Sequence, residues 1–137
     1  MKNITTVLKI IIIVIALIFI GVFSLSYTIN NNNSYKESII TNIKNNYNVN
    51  GDITYANYYG NYYIFTTNSN VIVLTKEYKE VLNEDINKLA KNTNNYELIY
   101  RTNKLMYEDT TVKDNKVTYD YYDANTYKKI SSTTLEQ

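Results

Sequence analysis

From Ile10 to Leu25 the chain is apolar except for Gly21 and Ser24, and Val7 and Leu8 lengthen the run if Lys9 snorkels to an interface. Roughly 20 such residues span a hydrocarbon core of about 30 Å. Residues 1–27 therefore read as a transmembrane signal anchor whose span ends at Ile10 and Leu25, and a lipid bilayer is the first expected partner. Lys2, Lys9 and the amino terminus precede the run, and only neutral residues follow it for some distance. The positive-inside rule then leaves the N-terminus in the cytoplasm and residues from about 28 onward outside, as a single-pass protein of the cell membrane. The rival reading is a cleaved signal peptide, with Ser24-Leu25-Ser26 as a small-x-small site before Tyr27. The run exceeds the roughly 7–15 residues of a signal-peptide apolar region, and serine is a poorer cleavage residue than alanine. An uncleaved anchor is expected.

Residues 28–33 form a polar linker, "TINNNN". About six residues reach at most roughly 20 Å when extended, so whatever an anchored outer domain binds must lie close to the membrane. The stretch "SYKESIITNIKNNYN" then predicts a helix. Ser34 with Glu37 makes a capping box, and Tyr35, Ile39, Ile43 and Tyr47, with Ile40 beside them, make one apolar stripe. Such a stripe is expected to cover a sheet. Strand patterns follow at 53–59 and 61–67 around Gly60-Asn61, a pair suited to a tight hairpin turn. A third, at 70–75, carries four consecutive apolar residues, which suggests a strand covered on both faces.

The order then recurs. "NEDINKLAKN" (83–92) reads as a second helix, with Asn83 as N-cap, Glu84 and Asp85 in the first turn, and Ile86, Leu89 and Ala90 as its apolar face. Strand patterns return at 96–101, 104–112 and 116–124, with turns at Thr102-Asn103 and Asp114-Asn115, and "YKKISS" is a candidate edge strand. The expected fold is α+β: a transmembrane helix, then a first unit at 34–80 and a second at 81–134. Each unit would be a helix on a three- to four-stranded antiparallel sheet. At roughly 45–50 residues each unit alone is marginal in core size, so the two are expected to pack together.

The residue inventory excludes several chemistries. The chain has no Cys, no His and a net charge of +1. A thiolate nucleophile, a Ser-His-Asp triad and a zinc site of the usual kind are therefore out of reach. With no basic block there is no electrostatic footprint for nucleic acid. The carboxylate pairs do not read as catalytic. Glu84 and Asp85 suit a helix first turn, while Glu108 and Asp109 are neighbours on a strand and point to opposite faces. Asp120 and Asp123 also differ in parity. No EF-hand pattern surrounds Asp114 and Asn115, so no metal or other cofactor is expected.

Tyrosine is the remaining candidate, with 16 residues, five of them in "GDITYANYYGNYYIF". Tyrosine suits strands, and an AT-rich coding sequence enriches it together with Asn, Ile and Lys. An aromatic patch near the Gly60 turn, built from Tyr58, Tyr59, Tyr62 and Tyr63, is the candidate partner-binding surface.

The order of elements, with "GNYYIFTTNSNVIVLT" as a first hairpin and "LMYEDTTVKDNKVTYDYYDANTYKKI" as last strands, resembles the TseB-like cell-wall elongation regulators of low-GC Gram-positive bacteria. These carry one N-terminal membrane segment and two cystatin-like (PepSY-like) units. In PepSY-like units a Gly follows the Thr of the last turn, where this chain has Tyr127 after Thr126. The positive φ is then left to Asn125, or the turn differs. The resemblance implies a non-enzymatic, membrane-anchored extracellular binding protein that regulates a wall-synthesis enzyme such as a penicillin-binding protein. The alternative is a secreted PepSY-like peptidase inhibitor or propeptide-like module. The Gln-x-Val-x-Gly loop of thiol-protease inhibitors is absent, since the one Gln is Gln137.

Overall fold

The structure is a computed structural model and describes residues 11–15, 32–93 and 96–136. The chain divides into two units, Met1–Glu37 and Ser38–Gln137. Of the first, residues 11–15 and 32–37 are described, and both stretches are helical. The expected membrane span, with its ends Ile10 and Leu25, lies outside the described residues apart from 11–15. Among the described residues no helix is long and apolar enough to cross a membrane.

The helix expected at 34–47 is present as α1, residues 32–46. It starts earlier than the capping box allows. Asn32 and Asn33, expected in the linker, already have helical backbone, so Ser34 lies inside the helix instead of capping it. Of the predicted stripe, Ile39 and Ile43 are buried, Ile40 and Tyr47 are partly buried, and Tyr35 is 56% exposed.

Eight strands follow: β1 (Tyr55–Tyr59), β2 (Tyr62–Thr66), β3 (Asn70–Thr75), β4 (Glu80–Asp85), β5 (Glu97–Arg101), β6 (Lys104–Lys113), β7 (Lys116–Asp123) and β8 (Lys129–Glu136). They form two antiparallel four-stranded sheets, β1-β2-β3-β4 and β5-β6-β7-β8, each strand beside its sequence neighbour. The fold is α+β, as expected. The tight hairpins carry paired positive φ values at Gly60-Asn61, Thr102-Asn103 and Asp114-Asn115, the backbone of two-residue turns that match strand twist.

The second helix is not formed. Where 83–92 was expected to be helical, the chain completes β4 through Asp85 and then makes a single 3-10 turn at Ile86–Lys88. Asp85, not Asn83, caps that turn, accepting a 2.8 Å hydrogen bond from the Asn87 amide. Pairing decides the matter. β3 has a free edge, and β4 fills it with Leu82 opposite Val73 and Glu84 opposite Val71. An apolar face of three residues among asparagines and acids offers a helix little in return. The sheet's fourth strand thus extends beyond residue 80, and only the first sheet carries an α-helix among the described residues.

The first sheet is covered on both faces. Ile72, Leu74, Phe65 and Ala56 pack with Ile39 and Ile43 of α1. On the other face Ile64, Val71 and Val73 pack with Leu98, Tyr100, Leu105 and Tyr107 of the second sheet. Val71 to Leu74 therefore serve both cores by strict alternation, which explains their unbroken apolar run. Two hydrogen bonds from β1 fix the sheets together: the Leu98 amide donates to Tyr55 Oη (3.0 Å), and Asn57 Nδ2 donates to the Leu98 carbonyl (3.2 Å). Burial pushes the Tyr55 hydroxyl pKa up to about 12.

Candidate functional site

The four candidate tyrosines sit at the β1–β2 turn, where Tyr58 pairs with Tyr63 and Tyr59 with Tyr62. Alternation sends the two pairs to opposite faces. Tyr58 and Tyr63 pack with the helix-side core, their rings 4.6 Å apart. Tyr62 faces the second sheet and meets Tyr100 edge-on at 5.0 Å. Tyr59 is the most open of the four, at 36% exposure. The structure does not bring the four into one platform, because a two-residue hairpin of period 2 cannot place neighbours on a single face.

The carboxylates have local partners. Asp123 Oδ1 accepts from the amides of Asn125 (3.0 Å) and Thr126 (2.8 Å) and from Thr126 Oγ1 (3.0 Å), and these bonds hold its pKa below the usual carboxylate range. Asp120 pairs with Lys129 Nζ at 2.7 Å, and that hydrogen bond lowers its pKa likewise. Burial raises the pKa of Glu108, with Tyr121 hydrogen-bonded to it. Among the described residues no three of His, Cys, Asp or Glu cluster closely enough to hold a metal ion.

Sequence reasoning missed a pair of tyrosines with left-handed backbone. Tyr78, between β3 and β4, has φ 61°, and Tyr127, between β7 and β8, has φ 55°. Tyr127 itself therefore takes the positive φ that was left open for Asn125. Each ring stacks on a strand tyrosine: Tyr78 on Tyr63 (5.0 Å, 16°) and Tyr127 on Tyr122 (4.7 Å, 9°). Lys91 Nζ lies 4.6 Å above the Tyr127 ring, and Tyr96 and Tyr107 flank it. A hydrogen bond with Tyr96 pushes the Tyr127 pKa up to about 12.

The two turns are equivalent in more than this. Each is followed by Lys, and each hairpin has its bulge two residues further on, at Val81 in β4 and at Ile130 in β8. "YKEVLNED" and "YKKISSTT" are thus the same structural segment in two sheets. The two sheets share strand number, strand order and this turn, while the helix expected to open the second unit is not formed.

The second sheet also reaches past its core. β6 from Thr110 onward and the whole of β8 are exposed. On this three-stranded blade, Val112, Val117 and Leu135 lie side by side across three strands, in register 112–117–135. Val112 is 65% exposed and Leu135 53%, while the central Val117 is shielded by its neighbours at 8%. Tyr119 and Tyr121 continue the same face inward, past a groove of about 270 Å³ bordered by Met106, Tyr121, Ile130 and Ser131. Isolated valines in a Lys- and Thr-rich stretch gave no signal of this row, since register alone assembles it.

Compared with known proteins, the chain matches no family model, no curated protein and no solved structure.

Proposed function

We propose that this chain is a membrane-anchored extracellular binding protein with no enzymatic activity of its own. It is built from two cystatin-like units and regulates a membrane-proximal enzyme of cell-wall synthesis, such as a penicillin-binding protein. The observation that carries the binding role is the pair of exposed apolar side chains, Val112 and Leu135, flanking the shielded Val117 on a blade whose opposite face is polar. Contiguous apolar surface held out on a rigid sheet and rimmed by charge is what protein recognition uses. The repeated hairpin with its positive-φ tyrosine supports the tandem-unit reading, and α1 on the first sheet supplies the helix of the first unit. The cell-wall setting and the anchor rest on the resemblance and on the apolar N-terminal run.

A photo-crosslinking residue at Val112, in cells that make the full chain, tests this reading. The expected adduct contains a wall-synthesis enzyme, and a probe at Tyr59 reports whether the hairpin tyrosines share that contact. Adducts at Val112 that contain no wall-synthesis protein would sink the proposal.

A further inference from the structure

Strand β8 ends the second sheet with eight exposed residues, and nothing among the described residues pairs with its outer edge. Such an edge is a template for another strand, and proteins usually defend it with charge. The equivalent strand of the first sheet does so: β4 carries Glu80, Glu84 and Asp85, so two copies of it would repel. In β8 the residues from Ile130 to Leu135 carry no charge, and the charges at its ends are opposite in sign, Lys129 and Glu136.

The bulge makes this arrangement self-complementary. Glu136 stands three ladder steps from Thr133 in one direction. Lys129 stands three steps away in the other, because Ile130 is the extra residue. Lys129 and Glu136 consequently share one face, opposite Tyr122 and Lys116 of β7. Without the bulge Ile130 would hold the third step, and an antiparallel copy would set it against Glu136.

We infer that β8 pairs with β8 of a second copy of this chain, antiparallel and symmetric about Thr133, to form a continuous eight-stranded sheet. In this register Thr133 faces Thr133, and Ser132 faces Thr134 of the second copy. Lys129 faces Glu136 of the second copy at both ends. Charges then alternate across the junction, since Lys116 already lies 3.4 Å from Glu136 and Asp120 2.7 Å from Lys129. A parallel arrangement would instead stack like charges. Leu135 of the second copy comes opposite Ser131, over the groove bordered by Met106, Tyr121 and Ile130. Leu135 of the second copy thereby lies beside Ile130, and the twofold axis turns both apolar rows to the same side.

The chain has no cysteine, so an introduced one reports alone. Directly opposed residues in antiparallel strands have Cα atoms about 4.5–5.5 Å apart, within disulfide range. Purified full chain bearing Thr133→Cys, in mild detergent and under gentle oxidation, is expected to yield a disulfide-linked dimer. Val81→Cys, on the charged β4 edge, serves as the control for random encounter. Adding Lys129→Glu or Glu136→Lys to the Thr133→Cys chain makes each variant repel itself, and each should lose the dimer band. Mixing the two variants restores opposite charges at both ends and should give the mixed dimer, which differs in mass. The proposal is overturned if Thr133→Cys links no faster than Val81→Cys, if Ser132→Cys or Thr134→Cys links faster, or if the mixture fails to link. Circular dichroism of each variant checks that its fold is intact.

Discussion

At Tyr127 the backbone holds a left-handed conformation that bulky side chains avoid, and the ring's neighbours account for its survival. Stacking on Tyr122, the edges of Tyr96 and Tyr107, and Lys91 above the ring offset a backbone cost of roughly 1–2 kcal/mol. Two substitutions separate these effects. Tyr127→Ala loses the ring and keeps the strain, whereas Tyr127→Gly loses the ring and relieves it. Urea denaturation is expected to find both less stable than the parent, with the Gly variant about 1 kcal/mol more stable than the Ala variant. Equal stabilities would mean that the turn is not strained. The sequence pointed to a special turn here through the missing Gly, but it did not identify the residue that absorbs the positive φ. That choice depends on Tyr122 lying one strand away, a relation that appears only once β7 and β8 are paired. The hairpin tyrosines show the reverse case. Parity placed Tyr58 and Tyr59 on different faces from the sequence alone, and only the covering layers decide how open each one is.

Among the elements, α1 and seven of the strands were legible because their patterns are local. A stripe at Ile39 and Ile43 marks the helix, and Asn or Gly at each tight turn marks a hairpin. β4 was not legible as a strand, because Ile86, Leu89 and Ala90 fall at helical spacing just beyond it. The free edge of β3 settles its state, and that edge is not visible in a window of ten residues. The layering also separates two isoleucines of equal volume. Ile43 is fully buried between α1 and the first sheet, so Ile43→Ala is expected to cost about 2–5 kcal/mol. Ile130 is the exposed bulge residue of an edge, so Ile130→Ala should stay within about 0.5 kcal/mol in the monomer. Chemical denaturation at low protein concentration measures both. A large loss at Ile130 would place it in a core that β8 does not have.

For the molecule as a whole, the shared core makes the two sheets one cooperative body. Ile64, Val71 and Val73 lose their cover if the second sheet opens, and Tyr55 and Asn57 lose their partner on Leu98. Amide NMR signals of α1 and tyrosine fluorescence, which follows both sheets, should therefore report one coincident urea transition. Leu98→Ala should move both signals together, by about 2–5 kcal/mol. Two separated transitions would mean that the sheets fold independently. The strict neighbour-to-neighbour strand order has a further consequence, for time and not for stability. Every strand pair closes through a connection to the next strand, so the early contacts bridge short stretches of chain and little loop entropy opposes them. The chain also contains no proline, so no peptide-bond isomer has to be awaited. Stopped-flow refolding should then finish in a single phase, without the tail of tens of seconds that proline isomerisation leaves. The apolar strands of both sheets would then stand uncovered only briefly before each finds its neighbour.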